Sequence, residues 1–231
     1  MSKKRLVVFT GAGISAESGI RTFRDAGGLW EQHRIEDVAT YEAWLKNREM
    51  VLGFYNQRRK QVMEAEPNPA HFFIAELQKK FDVQVITQNV DDLHERAGSK
   101  KVLHLHGEIM KARSSIDPKL VYPLKSWELN MGMRCDKGSQ LRPHIVWFGE
   151  LVPEMDRAVP LAEKADLFVV IGTSLNVYPA AGLINIVPPF VPAWLLDPSE
   201  FHLEYVRQIK HIRRTAVEGV EELRQELEKH G

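Results

Sequence analysis

The chain has 231 residues, of which 44% are hydrophobic, enough for the core of one α/β domain with insertions. Lys plus Arg and Asp plus Glu number 31 each, so no net charge draws the protein to nucleic acid or to a membrane surface. The single cysteine, Cys135, excludes an intrachain disulfide and fits a reducing compartment. No apolar stretch approaches the ~20 residues of a membrane span, and residues 1–5 precede the first strand without a signal-peptide core. We therefore expect a cytoplasmic protein.

The first stretch with a clear pattern is an apolar strand that runs into a glycine-rich turn. Residues 6–9 suit a strand buried on both faces of a parallel sheet. Residues 11–16, GAGISA, have the spacing that lets backbone N–H groups approach a pyrophosphate at a helix N-terminus. On this stretch alone, nucleotide binding and a plain tight turn are equally good interpretations. A polar loop interrupted by glycines follows, whereas an ordinary dehydrogenase continues into a long amphipathic helix at this point. Because the guanidinium of Arg24 can bind phosphate, this loop would suit a lid over a ligand.

Residues 41–66 have helical composition and contain no proline, which indicates a helical insertion. Tyr55 and Arg58 lie at i and i+3 and therefore share one helix face. From spacing alone, the favoured interpretation is an amphipathic helix with a packed tyrosine and a solvated arginine.

Two polar clusters follow predicted strands, where ligands of open α/β sheets bind. Residues 83–87 form one strand, and QNVDDLH at 88–94 follows it, although its Asp and Asn residues would also cap a helix. The alternating segment 102–108 ends in His106 and Gly107, and an imidazole there is a candidate general base. His104 and His106 alternate with leucines in this segment, so at least one of the two histidines is expected simply to face the polar side of the strand.

The second half of the chain returns to an alternation of strands and helices after an irregular segment. Residues 109–142 lose periodicity and form a second insertion, and the pattern resumes at 144–150. A buried strand at 167–171 runs directly into Gly172-Thr173-Ser174, a turn suited to phosphate or ribose contact. Further strands are predicted at 193–196 and 209–212, with helices at 70–80, 154–164 and 215–229. The sequence therefore predicts an α/β fold with a mostly parallel sheet.

Five segments together resemble one family: GAGISAESGIRTFR (11–24), TQNVDDLH (87–94), the His-Gly at 106–107, RPHIVWFGE (142–150) and GTSLNVYPAAGL (172–183). Their order and spacing are those of sirtuins, the NAD-dependent protein-lysine deacylases, over essentially the whole chain. The resemblance implies a single catalytic domain over 1–231 with a Rossmann-like sheet flanked by helices. Its large part would comprise about 1–32, 67–107 and 142–231. The two insertions, about 33–66 and 108–141, would form a smaller part.

The same resemblance implies the roles of individual residues. The catalytic residues would be His106, Asn89 and Asp91, with His106 acting as a base while the acyl group passes from lysine to the ribose of ADP-ribose. The products would be nicotinamide, free lysine and O-acyl-ADP-ribose. The residues implied to line the NAD pocket are Gly11, Ala12, Gly13, Ser15, Glu17, Ile20, Phe23, Arg24, Trp30, Gln88, Asn89, Val90, Asp91, Gly172, Thr173, Ser174 and Ala216.

The resemblance reverses the interpretation of Tyr55 and Arg58. A tyrosine and an arginine occupy these positions in sirtuins that remove succinyl and malonyl groups, and FYNQRR at 54–59 matches that pattern. Arg58 could pair with the far carboxylate of such an acyl group while Tyr55 donates a hydrogen bond. Substrate-binding positions implied alongside them are Val146, Phe148, Gly149 and Glu150. We expect a bacterial-type deacylase acting on acetyl, succinyl and malonyl groups of protein or peptide lysines.

Two features depart from the family pattern. Sirtuins usually carry a four-cysteine zinc site in the second insertion, but Cys135 is the only cysteine here, so we expect no zinc. We expect an apolar cluster to replace the metal, formed by Tyr122, Leu124, Trp127, Met131 and Met133. The second departure is Leu195, where many members have an asparagine that contacts the adenosine side of NAD.

Two alternatives from other functional classes stay open at this point. The chain could be a non-catalytic sensor of NAD or ADP-ribose, although a binding module would not need Asn89, Asp91 and His106 together. It could instead transfer ADP-ribose to an acceptor or hydrolyse NAD, although neither reaction needs a carboxylate pocket formed by Tyr55 and Arg58.

Overall fold

The structure is a computed structural model that describes residues 3–20, 29–30, 33–173, 175–200 and 209–230. In chain order its strands are β1 Arg5–Thr10, β2 Leu29–Trp30, β3 His33–Arg34, β4 Asp82–Thr87, β5 Val102–His104, β6 Gly107–Ser114, β7 Val121–Pro123, β8 Leu141–Ile145, β9 Leu167–Ile171, β10 Ala193–Leu196 and β11 Lys210–Ile212. Its α-helices are α1 Gly13–Ala16, α2 Ile35–Val38, α3 Tyr41–Lys46, α4 Arg48–Glu64, α5 Pro69–Leu77, α6 Leu93–Arg96, α7 Met155–Glu163, α8 Leu183–Ile186 and α9 Ala216–Glu228, and a 3-10 turn spans Ala180–Gly182. In the described ranges, no helix combines the length and apolarity that a membrane crossing requires.

The main sheet has six strands in the order β11-β10-β9-β1-β4-β5, and every neighbouring pair is parallel. Helices α5 and α9 contribute to the core on one face, and α7 and α8 to the core on the other. Both faces of β1 are therefore buried, as its continuous apolar run predicts. The carboxyl ends of β1, β4 and β9 lie side by side, so the polar turns after these strands meet at one edge. The predicted α/β fold is confirmed.

A smaller antiparallel sheet, in the order β7-β6-β8, packs with helices α2 to α4. Strand β8 begins at Leu141 and pairs with β6, so the segment in which the regular pattern resumes starts in this small sheet rather than in the main one. The large side chains of this second core include Trp44, Tyr55 and Trp147. The division of the whole chain into a large and a small part stays a prediction.

Local signals explain where several elements begin and end. The predicted helix over 41–66 is split at Asn47, whose side chain accepts a hydrogen bond from the Met50 amide and caps α4. The alternating segment 102–108 is not one strand, because β5 ends at His104 and β6 starts at Gly107, whose φ is +85°. Helix α9 begins with a capping box between Thr215 and Glu218.

Hydrogen bonds, rather than the predicted apolar cluster, hold the end of the small sheet together. Trp127, Met131 and Met133 are 39%, 47% and 39% exposed, so the prediction is wrong for these three residues. Tyr122 and Leu124 do pack against the second core. The Cys135 Sγ lies 3.3 Å from Ser114 Oγ and 3.1 Å from Ser139 Oγ, and the two serine oxygens are 2.9 Å apart. An ion pair of 2.8 Å between Lys137 and Asp117 joins the same two loops.

Candidate active site

The turn after β1 packs tightly against the turn after β9. A Cβ added at Gly13 would lie 2.7 Å from the Cα of Gly172, and one added at Gly172 would lie 2.3 Å from the Ile14 nitrogen. The amides of Gly11 and Gly13 donate to the carbonyls of Ile171 and Gly172 at 3.0 and 2.8 Å. These two amides are thus engaged within the protein, and the glycines serve close packing rather than presenting the N–H donors expected for a pyrophosphate. Helix α1 has four residues and adds little dipole, contrary to the expectation of a helix N-terminus there.

Three of the residues predicted to line the NAD pocket form one hydrogen-bonded group at this edge. The Asn89 side-chain amide donates to Ser15 Oγ at 3.1 Å, and Ser15 Oγ donates to Asp91 Oδ2 at 3.1 Å. All three side chains are buried, and burial raises the pKa of Asp91. The other oxygen of Asp91 accepts the Leu93 amide at 3.2 Å, so Asp91 holds the first amide of α6, whose N-cap position is Asp92. Asp91 therefore belongs to the polar cluster and also contacts the start of the helix, two roles that the sequence allows together.

His106 and Gln88 link the strand ends of β4, β5 and β9. The His106 Nδ1 lies 3.1 Å from the Gln88 carbonyl, which can only accept, so Nδ1 carries the proton and Nε2 keeps its lone pair. Burial lowers the pKa of His106 in spite of this contact, so the ring is neutral near pH 7. The Gln88 Oε1 accepts from the Thr173 hydroxyl at 2.9 Å. Its Nε2 is buried and has no hydrogen-bond partner in the described part of the chain.

A buried polar layer beneath these residues was not predicted from the sequence. The His94 Nε2 lies 2.9 Å from Thr10 Oγ1, which donates to Thr87 Oγ1 at 2.8 Å, and Thr87 accepts the Asn89 amide at 3.0 Å. Asn89 is also held by His104, whose Nδ1 lies 2.9 Å from the Asn89 carbonyl. The sequence signal for this layer is a threonine at the last position of both β1 and β4.

His104 faces Glu95 on its other side, with the Nε2 atom 2.8 Å from Glu95 Oε1. Burial opposes the imidazolium, but the contact with Glu95 raises the pKa of His104 above its usual value. His104 thus does more than face the polar side of the strand, because it fixes the backbone next to the Asn89 side chain.

The other residues predicted to line the NAD pocket lie in different parts of the structure. The Glu17 carboxylate accepts from Thr215 Oγ1 at 3.1 Å and from the Val217 amide at 2.8 Å, which joins the end of α1 to the start of α9 beside the buried Ala216. Ile20 is buried in the second core, Val90 packs against it, and Ala12 is exposed. Phe23, Arg24, Ser174 and the side chain of Trp30 lie outside the described residues. Leu195 is fully buried in the core beside α7 and α8.

The predicted substrate segment 146–150 follows β8 and is anchored at both ends. The Val146 amide donates to the His106 carbonyl at 2.9 Å, and the Phe148 amide donates to the Ala39 carbonyl at 3.0 Å. The side chain of Phe148 is 46% exposed, and Gly149 has φ +85°. The Glu150 carboxylate is engaged by arginines within the protein, so it anchors the segment.

Tyr55 and Arg58 are both buried in α4, with 1% and 6% of their surface exposed. The interpretation from helical spacing alone, with Arg58 solvated, is therefore wrong. The Tyr55 hydroxyl accepts a hydrogen bond of 3.0 Å from the Trp147 indole, and burial raises the pKa of the phenol. Trp147 was not among the predicted site residues, although it lies inside the segment 142–150 that carries the resemblance.

Comparison with known proteins identifies the family. The Sir2 family model matches residues 11–179, which include both glycine turns, Asn89, Asp91 and His106. The chain belongs to the Sir2 family. A protein from Bacteroides thetaiotaomicron named NAD-dependent protein deacylase is 55% identical to this Sir2 chain over 229 residues, covering 97% of this chain and 98% of its own. One of the same name from Helicobacter pylori is 51% identical over 226 residues, with 97% of each chain covered.

Solved Sir2 structures share the fold of this Sir2 chain. A Sir2 homologue in complex with NAD superposes with a TM-score of 0.87 at 42% identity, covering 99% of this chain and 91% of the other. A mutant Sir2 homologue in complex with ADP-ribose gives a TM-score of 0.89 at 41% identity, covering 99% and 93%.

Proposed function

We propose that the chain is an NAD-dependent protein deacylase, which transfers an acyl group from a lysine side chain to ADP-ribose. The observation that carries the proposal is the geometry of His106, a half-buried neutral imidazole whose Nδ1 is fixed by the Gln88 carbonyl. Through Gln88, which accepts from Thr173, His106 is connected to the strand edge where the glycine turns and the Ser15, Asn89 and Asp91 group meet. A neutral imidazole is the base that deprotonates a hydroxyl near pH 7.

The residues at this edge fit NAD. The buried Nε2 of Gln88 has no partner among the described residues and is a donor suited to a ribose hydroxyl. The close packing of Gly11 and Gly13 on Gly172 and Thr173 brings the two turns together at this edge, which would place residues of both turns beside one bound dinucleotide. Bound NAD would supply an ADP-ribose electrophile and a nicotinamide leaving group. The protein would hold the ribose through Gln88 and Asn89 and remove a hydroxyl proton through His106.

The proposal includes preference for acyl groups that end in a carboxylate. Arg58 is a buried cation in the same helix as Tyr55, three residues away, and it lowers the phenol pKa in opposition to burial. Because the Tyr55 oxygen accepts from Trp147, its own proton is left to donate. One arginine and one hydroxyl donor suit the far carboxylate of succinyl-lysine or malonyl-lysine.

The chemistry of the second insertion does not fit a structural zinc ion. Such sites use four thiolate or imidazole ligands, whereas Cys135 here contacts the hydroxyls of Ser114 and Ser139. We infer that hydrogen bonds and the ion pair between Lys137 and Asp117 replace the metal. A cytoplasmic location is also part of the proposal, supported by the single reduced cysteine.

Mass spectrometry of reaction products tests the function. The protein is incubated with NAD and matched acetyl-lysine and succinyl-lysine peptides, with His106→Ala as the control. We expect loss of the acyl group coupled to O-acyl-ADP-ribose in the wild type and neither product in the mutant. Bound NAD with no peptide conversion would instead support a sensor, and ADP-ribosylated peptide would support a transferase.

A further inference from the structure

An ion pair between a buried arginine and a half-buried glutamate lies next to the proposed acyl pocket and has no part in the function described so far. Arg142 is 4% exposed, and its Nη1 and Nη2 atoms donate to the two oxygens of Glu150 at 2.7 and 2.9 Å. The same carboxylate accepts from Arg113 Nη2 at 3.2 Å and from the Trp147 amide at 2.9 Å. Burial disfavours the Glu150 carboxylate, but the bonds from Arg142 and Trp147 outweigh that effect and lower its pKa.

Arg142 also covers the ring of Trp147. The guanidinium carbon lies 3.4 Å from the indole centroid, within stacking distance, and both residues donate to Glu150. The indole is 2% exposed and packs near Trp44, with ring centroids 5.9 Å apart. The plane of the Trp147 ring is therefore set by a cation on one face and by aromatic neighbours around it.

The indole nitrogen of Trp147 is in turn the donor to Tyr55. Its distance of 3.0 Å to the phenolic oxygen fixes the direction of the lone pair that accepts, and so restricts where the Tyr55 proton can point. A chain of contacts thus runs from Glu150 through Arg142 and Trp147 to the hydroxyl that faces the acyl group in the proposed function.

We propose that Arg142 is a positioning residue for acyl selectivity, which acts on Tyr55 through the ring of Trp147. This inference rests on the proposed function, because it assigns Tyr55 and Arg58 to the acyl pocket. Glu150, predicted as a substrate-binding residue, acts here as the anchor that fixes Arg142. A purely structural ion pair would stabilise the segment without favouring one acyl group over another.

The test is the ratio of kcat/KM for succinyl-lysine and acetyl-lysine in one peptide sequence. Trp147→Phe keeps the aromatic packing but removes the indole N–H, and Arg142→Lys keeps the charge but removes the planar fork. We expect each variant to lower the succinyl-to-acetyl ratio roughly two- to tenfold, the range set by one neutral hydrogen bond. The double variant is expected to fall no further than Trp147→Phe alone, since Arg142 acts through Trp147.

Arg113→Lys is the matched control, because Arg113 contacts Glu150 and the Ile145 carbonyl as Arg142 does. Its ratio should stay close to that of the wild type. Equal losses on both substrates, or additive losses in the double variant, would overturn the inference and leave Arg142 a structural residue. Thermal unfolding of each variant shows whether it is folded.

Tyr55→Phe separates this inference from the function on which it rests. A lower ratio in Tyr55→Phe with an unchanged ratio in Trp147→Phe would overturn the role of Arg142 alone. An unchanged ratio in Tyr55→Phe would overturn the acyl pocket and this inference together, while acetyl-lysine turnover would still report the deacylase activity.

Discussion

The indole nitrogen of Trp147 donates a 3.0 Å hydrogen bond to the hydroxyl of Tyr55, across 92 positions of the chain. It joins helix α4 of the first insertion to the segment that follows β8 and carries Val146 and Phe148. The same segment is bonded to the His106 carbonyl through the Val146 amide. The proposed acyl pocket and the proposed base are therefore connected through a few residues.

Arg58→Met should reduce succinyl-lysine turnover far more than acetyl-lysine turnover. The lost charge-assisted hydrogen bonds are worth ~1.5–3 kcal/mol, which corresponds to roughly a 10- to 100-fold loss of kcat/KM for the carboxylated acyl group. Steady-state kinetics with succinyl-lysine and acetyl-lysine peptides of the same sequence measures the two values of kcat/KM. Lys60→Met on the exposed face of the same helix is the control and should change neither rate. Equal losses for the two acyl groups in Arg58→Met would refute the carboxylate pocket.

The activity of the enzyme should fall at acidic pH. His106 must be neutral to act as a base, and burial lowers its pKa below the usual 6.5. The rate constant kcat/KM should therefore be level above about pH 6.5 and decline as the pH drops through the lowered pKa. His230→Gln, far in the chain from the site and in edge-to-face contact with Trp194, should keep the same profile. A rate that rises on acidification would mean that the protonated ring is the active form.

Two buried histidines should make the protein less stable at low pH. Burial lowers the pKa of His71 to about 4 and that of His94 well below its usual value. Both rings are neutral when folded, whereas in the unfolded chain they titrate near pH 6.5. The free energy of unfolding should thus fall as the pH drops below about 6.5, by up to ~1.4 kcal/mol per pH unit for each histidine.

Urea unfolding at two pH values checks that stability prediction. His94→Gln is the informative variant, because a glutamine amide could still donate to the Thr10 hydroxyl as His94 Nε2 does. It should remove the contribution of one histidine to the pH dependence. The same pH dependence in this variant as in the wild type would contradict the assignment to His94.

Gly172→Ala should weaken both the fold and NAD binding. The residue has φ +63°, and a Cβ would lie 2.3 Å from the Ile14 nitrogen, so the two turns would have to separate. Gly53→Ala, in the middle of α4 with no atom within 4 Å of the added Cβ, should instead stabilise the protein by ~0.5–1 kcal/mol. Thermal unfolding and NAD titration compare the two variants. Equal stability of the two would contradict this account of the glycine turns.

Purified protein should contain far less than one zinc ion per chain, and a chelator should leave its unfolding temperature unchanged. The reason is that Cys135 contacts serine hydroxyls, and one thiolate does not make a tetrahedral site. Elemental analysis and calorimetry with and without the chelator measure both quantities. Stoichiometric zinc, or a lower unfolding temperature after chelation, would show that the second insertion holds a metal.

Local patterns were enough to predict the main sheet but not the contacts across it. The apolar runs at 6–9 and 167–171 have few alternatives to a buried parallel strand, and the structure has strands at both places. The bond between Tyr55 and Trp147 depends on how the two insertions pack, which spacing does not encode. The apolar cluster was mispredicted for Met131 because composition does not reveal whether a methionine in an irregular loop is covered.

The candidate site, like the fold, could be predicted from the sequence only in part. Residues at strand ends, such as Asn89 and His106, could be predicted because parallel strands bring their carboxyl ends together. The hydrogen bonds that the Gly11 and Gly13 amides make within the protein could not be predicted, because a glycine pattern does not distinguish close packing from phosphate binding. The layer of His94 and Thr10 beneath the site likewise depends on side-chain geometry.

The stoichiometry of one reaction tests the central claim most directly. Nicotinamide, deacylated peptide and O-acyl-ADP-ribose are quantified over time in a single mixture of protein, NAD and acyl-lysine peptide. NAD-dependent deacylation predicts that the three products rise together in equal amounts and that His106→Ala forms none of the O-acyl-ADP-ribose. Nicotinamide released without loss of the acyl group would contradict the account and would instead indicate NAD hydrolysis or ADP-ribosyl transfer.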